Sequence, residues 1–302
     1  MRGSCLLALV PVLGSLTACR PPGGAPAHVL VVDDAGDTLR LAAPARRVVS
    51  LNPATTELLF ALGAGDRVVG RTDACDYPGA ARAVPSVGGG FPPMLEPVLA
   101  RRPDLVVLYR MTANEPVAAR LRELGIPVLR LRTDRLADVA RAARALGVVT
   151  GRRAAGDSLA DGLLRAMDAA RARTTDIERP GVVLLASDQP VIALGAGSFL
   201  SELAELAGAR NLFADVAAPS VPTSLEAIAA RSPAAVLLAG GISPGFARRP
   251  EWQTIPAVRR GRILSLTESA FNRPSPRGPA AARDLGHRLD ALLTRTAAGA
   301  TP

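Results

Sequence analysis

The fold is decided by a stretch that this chain of 302 residues contains twice: LEPVLARRPDLVV at 95–107 and LEAIAARSPAAVL at 225–237. Each copy has the pattern of a short apolar helix, a turn that contains arginine and proline, and an apolar strand. The copies begin 130 residues apart, which is nearly half of the chain. An internal repeat of this length predicts two similar α/β lobes.

The residues around the two copies alternate between strand and helix patterns. At 29–41, two apolar runs flank the turn sequence DDAGD, which predicts a β-hairpin. An apolar strand at 47–51 leads into a helix that Asn52 would cap and Pro53 would begin. A second alternating series ends in a helix at 280–293. Strands that alternate with helices imply mainly parallel sheets flanked by helices.

A long amphipathic helix is predicted between the two alternating series. A helix at 134–146 ends at a break bounded by glycines at 147–156, and the amphipathic helix follows at 157–173. The apolar positions of this helix recur every three or four residues; they are Leu159, Leu163, Met167 and Ala170. The helix therefore connects the two lobes.

The N-terminus has the features of a lipoprotein signal. A basic start, Met1-Arg2, precedes an apolar run at 6–16 that is too short to span a bilayer. The run closes in LTAC at 16–19, which resembles the lipobox of bacterial lipoproteins. Acylation of Cys19 would anchor the protein to a membrane without a spanning helix. An ordinary secretory signal with a chance cysteine is the alternative.

These patterns divide the chain into five predicted segments. They are a lipoprotein signal peptide at 1–18, a lipid-anchored tether at 19–28, an N-terminal α/β lobe at 29–150, a linker helix at 151–178 and a C-terminal α/β lobe at 179–298. Two-lobed α/β proteins bind ligands between the lobes, against loops at strand ends. We therefore expect a ligand cleft between the lobes.

Composition excludes several classes of function. The chain has 36 basic and 27 acidic residues and a net charge of +9, but its arginines are scattered and no aromatic residues interleave them. A nucleic-acid partner is therefore not expected, because base stacking needs such aromatics. With 3 cysteines and 2 histidines, the chain also lacks the residues for a disulfide framework or a Cys/His metal site.

No catalytic group is predicted. His28 falls in the tether, and His287 lies among charged residues of the last helix, so neither has the setting of a catalytic base. No nucleophile elbow, phosphate loop or dinucleotide fingerprint occurs in the sequence. We therefore expect a binding protein that is not an enzyme and holds no metal or cofactor of its own. A lipid-anchored enzyme or sensor on the same scaffold is the alternative of a different class.

The few aromatic residues mark the candidate cleft. Six lie in loops or near strand ends: Tyr77, Phe91, Tyr109, Phe246, Trp252 and Phe271. The other three, Phe60, Phe199 and Phe213, have the pattern of core residues. Simple packing is the alternative for each loop aromatic. Together they suggest flat apolar walls for a large planar ligand.

Two glutamates occupy matching positions in the repeat. Glu96 and Glu226 each stand at the start of the repeated helix, where a carboxylate is locally favourable. One exposed carboxylate on each lobe also offers a matched pair of charges to a two-subunit partner that carries arginines.

Four segments of the sequence resemble a known family. RVVSLNPATTEL at 47–58 resembles the opening of solute-binding proteins of ABC importers, in the class with a rigid helical backbone. Members of this class bind cobalamin, haem or iron siderophores. The cobalamin-binding branch is similar at TDACDYP (72–78), at VGG (87–89) and at FNRPSPR (271–277). The resemblance runs from about residue 29 to residue 293.

The resemblance implies a periplasmic or otherwise extracytoplasmic protein that captures a corrinoid, which brings its own cobalt. It implies delivery to a dimeric ABC permease with its ATPase, with Glu96 and Glu226 docking onto the permease. Ligand contacts are expected from Tyr77, Phe91, Phe271 and Arg273.

The other ligands of this class stay open at the sequence level. A haem would need Tyr77 or Tyr109 as its axial ligand, and an anionic siderophore could use Arg71, Arg110 and Arg273. Cys75 is interpreted as a buried thiol, with ligation of cobalt or iron as the alternative.

Overall fold

The computed structural model describes residues 29–89, 91–174 and 178–298. The predicted signal peptide, the tether and Cys19 lie outside these residues. The described part of the chain forms two α/β lobes with one long helix between them. Within it, no helix is both long enough and apolar enough to cross a membrane.

The N-terminal lobe is built on a four-stranded parallel sheet in the order β4-β3-β5-β6. Its strands are β1 (Val29–Val32), β2 (Thr38–Leu41), β3 (Val48–Ser50), β4 (Val68–Arg71), β5 (Leu105–Tyr109) and β6 (Val128–Leu131). Its helices are α1 (Pro53–Ala61), α2 (Leu95–Ala100), α3 (Glu115–Glu123) and α4 (Leu136–Val149). β1 and β2 form the predicted hairpin beside this sheet. As predicted, Asn52 caps α1 and Pro53 is its first residue.

The C-terminal lobe has a mixed sheet in the order β10-β8-β7-β11-β12, with β9 also paired to β7. Its strands are β7 (Gly181–Asp188), β8 (Val191–Ala193), β9 (Arg210–Asn211), β10 (Val221–Pro222), β11 (Ala235–Ala239) and β12 (Ile263–Leu266). Its helices are α6 (Phe199–Leu206), α7 (Leu225–Ala230), α8 (Pro256–Arg259), α9 (Ser269–Asn272) and α10 (Gly278–Ala298), and α5 (Arg153–Arg173) precedes the lobe. The antiparallel strands β8 and β10 were not predicted.

The repeat has the same structure in both lobes. α2 and α7 each have six residues with the same alternation of exposed and buried positions. Each ends in a turn with a left-handed residue, Arg102 at φ 46° and Ser232 at φ 47°. The strands that follow, β5 and β11, are buried on both faces, as covered parallel sheets require. The prediction of two similar α/β lobes is confirmed.

The predicted break at 147–156 is wrong. α4 continues to Val149 and α5 already begins at Arg153. Gly147 and Gly156 are helical residues at the contact between these helices, where a Cβ on Gly156 would lie 2.7 Å from the carbonyl oxygen of Ala143. These glycines therefore allow close helix packing rather than end a helix.

The linker helix α5 has 21 residues and is about 30 Å long at the rise of an α-helix. Its buried face includes the predicted Leu163, Met167 and Ala170. The largest apolar core runs from the N-terminal lobe through α5 into the C-terminal lobe. The lobes therefore share packing along this helix, and the predicted lobe boundaries stay predictions.

Candidate functional site

A crevice of about 810 Å³ lies between the lobes. From the N-terminal lobe it is lined by Leu51, Asn52, Pro53, Ala54, Thr72, Ala74, Gly89, Phe91, Tyr109, Thr133 and Asp134. From the C-terminal lobe it is lined by Leu194, Gly197, Ser198, Phe199, Pro219, Ser220, Arg273 and Pro274. Most of the N-terminal residues lie at the carboxyl ends of the parallel strands β3 to β6, where open α/β sheets place their ligands.

Three aromatic side chains line the crevice. Phe91, in the loop before α2, is 64% exposed, and Tyr109 is the last residue of β5. Phe199 was predicted to be a core residue, but it also lines the crevice. It is the first residue of α6, so it is partly buried against the core while it borders the open space. The apolar pattern alone cannot show that the first residue of a helix faces a cleft rather than the core.

The structure places other predicted aromatics outside the crevice. Phe271 is only 3% exposed and lies in the main core, with the Arg288 guanidinium 5.3 Å from its ring centre. Its predicted position at the cleft wall is therefore wrong, because the short helix α9 turns this ring inward. Phe246 and Trp252 pack against each other in the core of the C-terminal lobe, with ring centres 4.4 Å apart.

Tyr77 lies beside the crevice rather than in its lining. Its side chain is 42% exposed, and the Arg277 guanidinium lies 3.8 Å from its ring centre. This geometry is a cation–π contact between the two lobes. A ligand contact by Tyr77 stays a prediction.

Arg273 lines the crevice and also ties the lobes together. Its Nε donates to Glu57 Oε1 at 2.9 Å, its Nη1 to the carbonyl oxygen of Ala74 at 3.0 Å, and its Nη2 to Asp76. The hydrogen bond from Arg273 holds the pKa of Asp76 below its usual value. The guanidinium is therefore already neutralised by carboxylates of the other lobe.

Glu57 is the centre of this contact and is only 3% exposed. Arg277 donates to both of its carboxylate oxygens, at 2.9 and 2.7 Å. We call Glu57, Asp76, Arg273 and Arg277 the interlobe clasp. The sequence analysis did not identify it, although a glutamate inside the apolar helix at 53–61 was a signal that a charged partner would be found.

A second contact joins the lobes at the start of α4. The backbone N–H of Leu136 donates to Glu202 Oε2 of α6 at 3.1 Å. Arg135 donates to the carbonyl oxygen of Ala196, next to crevice-lining residues. Burial raises the pKa of the Glu202 carboxyl. The two lobes are therefore fixed to each other by polar contacts as well as through α5.

The N-terminal wall of the crevice carries a row of polar side chains. Asn52 Nδ2 donates to Thr133 Oγ1 at 3.1 Å, and the Tyr109 hydroxyl donates to Asp134 Oδ1. Burial and this hydrogen bond to Asp134 raise the pKa of Tyr109 to about 12. The phenol therefore keeps its proton at neutral pH.

Cys75 is a free and fully buried thiol behind this wall. Its Sγ lies 3.1 Å from Thr56 Oγ1 and 3.2 Å from Thr72 Oγ1. His287 is exposed on α10, and His28 lies outside the described residues. In the described ranges, no group of three or more histidine, cysteine or acidic side chains is arranged to hold a metal ion.

Glu96 and Glu226 are exposed at the second positions of α2 and α7. They do not line the crevice, so they are separated from the candidate ligand site. A hydrogen bond with the Ser224 side chain holds the pKa of Glu226 below its usual value. Its carboxylate is therefore charged at neutral pH, and its docking role stays a prediction.

The chain is similar in sequence and in structure to known proteins. A family model described as periplasmic binding protein matches residues 48–270. The vitamin B12-binding protein of Vibrio parahaemolyticus serotype O3:K6 (strain RIMD 2210633) is 27% identical over 235 residues, which are 78% of this chain and 86% of that relative.

Among solved structures, the chain is similar to the periplasmic vitamin B12-binding protein BtuF of Vibrio cholerae, with a TM-score of 0.69 and 26% identity over 82% of this chain and 98% of that one. It is also similar to the periplasmic haem-binding protein RhuT from Roseiflexus sp. RS-1 in apo form, with a TM-score of 0.72 and 27% identity over 82% and 99% of the two chains. These similarities extend over both lobes.

Proposed function

This chain belongs to the periplasmic binding protein family, and on that premise we propose that it captures a corrinoid between its lobes and delivers it to an ABC importer. The observation that carries the proposal is the chemistry of the crevice. Its walls combine aromatic and apolar side chains with neutral hydrogen-bonding groups. A corrinoid is a large planar ring surrounded by neutral amides, which matches such walls.

The charges in the crevice favour this ligand over anionic ones. Among the described lining residues, Arg273 is the only cationic side chain and Asp134 the only anionic one. Arg273 is already paired with Glu57 and Asp76. An anionic siderophore or the propionates of haem would therefore find no uncompensated cation in this lining, and a buried unpaired charge is costly.

Haem also lacks a suitable axial ligand in this lining. Tyr109 is the only tyrosine among the described lining residues, and its phenol is held protonated by burial and by the hydrogen bond to Asp134. A tyrosinate would first have to lose this proton. Arg71, which was considered for siderophores, uses its guanidinium on the carbonyl oxygens of Thr72, Ala81 and Arg82.

The proposal has further parts. The protein catalyses no reaction and needs no cofactor of its own, since the ligand carries the cobalt. Glu96 and Glu226 dock onto a dimeric permease that works with its ATPase. Acylation of Cys19 holds the protein at the membrane, on the extracytoplasmic side.

A titration tests the ligand. Purified protein is titrated with cyanocobalamin, haemin and a ferric hydroxamate siderophore, and each ligand is followed by its own absorbance and by calorimetry. We expect saturable one-to-one binding of cyanocobalamin below micromolar concentration and much weaker binding of the other two. Phe91→Ala should weaken cobalamin binding about tenfold, because the stacking contact is lost.

Leu124→Ala is the matched control, because Leu124 is also an exposed apolar side chain but lies away from the crevice lining. It should leave the affinity unchanged. Tighter binding of haemin or of the siderophore than of cyanocobalamin would contradict a corrinoid as the ligand. Turnover of a bound ligand would contradict a pure binding role.

A further inference from the structure

The polar row on the N-terminal wall lies at the ends of two neighbouring strands. β5 and β6 are parallel partners, and Tyr109 is in register with Leu131. The chain then leaves β6 through Thr133 and Asp134, so that these two side chains and Tyr109 line the same stretch of the crevice. Their closeness follows from strand register rather than from a flexible loop.

Asp134 is held in place and keeps an acceptor for a ligand. Its Oδ1 accepts the Tyr109 hydroxyl, and its backbone N–H donates to Asp138 Oδ2 at 3.1 Å. Its Oδ2 lies 3.6 Å from Nε of the half-exposed Arg132, which is beyond hydrogen-bond distance. Oδ2 can therefore accept a hydrogen bond from a group in the crevice.

Thr133 supplies the complementary donor. Its Oγ1 accepts the amide N–H of Asn52, and the Asn52 Oδ1 in turn accepts the backbone N–H of Ala54 at 2.8 Å. The threonine proton is therefore not used in the bond with Asn52. A hydroxyl donor thus stands next to a carboxylate acceptor on one wall.

A primary carboxamide matches this pair, because it donates through nitrogen and accepts through oxygen. A carboxylate at the same place has no proton to donate and is repelled by Asp134. Arg273 cannot offset that repulsion, since Glu57 and Asp76 already hold its guanidinium. Arg132 offsets it only in part, because its half-exposed guanidinium lies 3.6 Å from both Asp134 and Asp138 and is screened by solvent. The wall therefore distinguishes a neutral amide from an acid of the same shape.

We propose that Thr133 and Asp134 form a carboxamide-binding subsite, with Tyr109 as a positioning residue, and that this subsite selects fully amidated corrinoids over those with free carboxylates. The inference rests on the proposed function and names the ligand form that the crevice takes. Discrimination comes mainly from Asp134, whose charge penalises the acid.

The test compares two corrinoids that share the ring and differ in the peripheral groups. Dicyanocobinamide carries amides, and dicyanocobyrinic acid carries carboxylates. Each is titrated into the full-length protein at pH 7 by calorimetry. We expect the wild type to favour the amide form by at least about tenfold, since a mismatched charged group loses its hydrogen bond and gains repulsion.

Asp134→Asn should lower the ratio of the two affinities several-fold, because the repulsion at this subsite is removed and the amide of asparagine can donate to a carboxylate. Tyr109→Phe should lower the same ratio by a smaller factor, because Asp134 loses its orienting donor. Asp66→Asn is the matched control, since Asp66 is exposed on the same lobe and the change in charge is identical. It should leave the ratio unchanged.

Equal wild-type affinities for the two forms, or a ratio that Asp134→Asn leaves unchanged, would overturn the subsite while the proposed function stands. A wild-type protein that binds neither form would overturn the subsite, and it would overturn the proposed function as well if it also failed to bind cyanocobalamin. The thermal midpoint of each variant shows whether it is folded. The affinity ratio is also insensitive to a partial loss of folded protein, because both ligands are titrated into the same variant.

Discussion

The two lobes share a framework but offer different surfaces to the crevice. The repeated helix, turn and strand have the same lengths and burial in both lobes. The N-terminal wall nevertheless presents Tyr109, Thr133 and Asp134, whereas the C-terminal wall presents mainly small and apolar residues such as Leu194 and Phe199. The repeat therefore maintains the backbone, and the crevice lining is formed by segments that differ between the lobes, where we expect ligand recognition to lie.

The C-terminal lobe differs in its sheet as well. Its antiparallel strands β8 and β10 have no counterpart in the four-stranded parallel sheet of the N-terminal lobe. Leu194 directly follows β8, and Pro219 and Ser220 directly precede β10. The added strands thus position part of the C-terminal wall.

The largest expected effect concerns Glu96 and Glu226, the exposed glutamates that the two lobes share at the start of the repeated helix. Reversal of both docking charges, by Glu96→Arg and Glu226→Arg together, should reduce corrinoid uptake in cells by at least about tenfold, since like charges at an interface cost several kcal/mol. Each single variant should lose part of the uptake. Corrinoid affinity measured on the purified protein should stay the same, because neither residue lines the crevice.

The control carries the same two changes at Glu123 and Glu251, which are exposed glutamates of the two lobes outside the repeat. Net charge is therefore matched, and uptake should be close to that of the wild type. If the control loses as much uptake as the docking variant, overall charge rather than a matched pair is responsible.

The second prediction concerns a substitution that breaks the interlobe clasp. Glu57→Gln removes the charge between Arg273 and Arg277, whose side chains are 17% and 24% exposed. The change leaves Arg277 without a carboxylate partner and Arg273 with Asp76 alone. Because these charges are largely buried, we expect the free energy of unfolding to fall by about 3 kcal/mol. Urea unfolding followed by circular dichroism measures the change.

Glu123→Gln breaks an ion pair with Arg120 in which both side chains are more than half exposed. This control should change stability by less than about 0.5 kcal/mol. A similar loss for both variants would mean that the clasp contributes no more than a surface pair, and that the shared core along α5 alone holds the lobes together.

The sequence predicted what depends on local patterns. The hairpin β1–β2, the Asn52 cap of α1 and the repeat with its two lobes follow from turn residues, capping chemistry and apolar periodicity over a few residues. The exposed Phe91 was also placed correctly at the crevice, because a loop before the repeated helix must lie at one end of the sheet.

What could not be predicted depends on distant contacts. The bonds of the interlobe clasp join residues that are 197, 216 and 220 positions apart. Gly156 looked like a helix break because its contact with Ala143 on α4 cannot be read from composition. Phe271 and Phe199 exchanged their predicted places because a ring at a helix terminus can turn inward or outward, and packing decides which.

The smallest expected effect tests whether the left-handed turns of the two repeats contribute equally to the free energy of unfolding. Arg102 and Ser232 are exposed, have left-handed φ angles of 46° and 47°, and donate their N–H groups to the carbonyl oxygens of Leu99 and Ala229, both at 2.9 Å. Arg102→Gly and Ser232→Gly should each raise the free energy of unfolding by about 0.5 kcal/mol, because the relief of left-handed strain slightly exceeds the entropy that glycine adds to the unfolded chain.

The matched controls are Ala100→Gly and Ala230→Gly, the last residues of α2 and α7, which are exposed and right-handed. They should lower the free energy of unfolding by up to about 1 kcal/mol, since glycine is a poor helix former. Urea unfolding of all four variants gives two pairs of values. If the turn variant raises the free energy of unfolding and the helix variant lowers it in both lobes, the same backbone constraint acts in each repeat. A gain in one lobe and a loss in the other would mean that the two turns only look alike, because surrounding contacts rather than the turn itself hold one of them in the left-handed region.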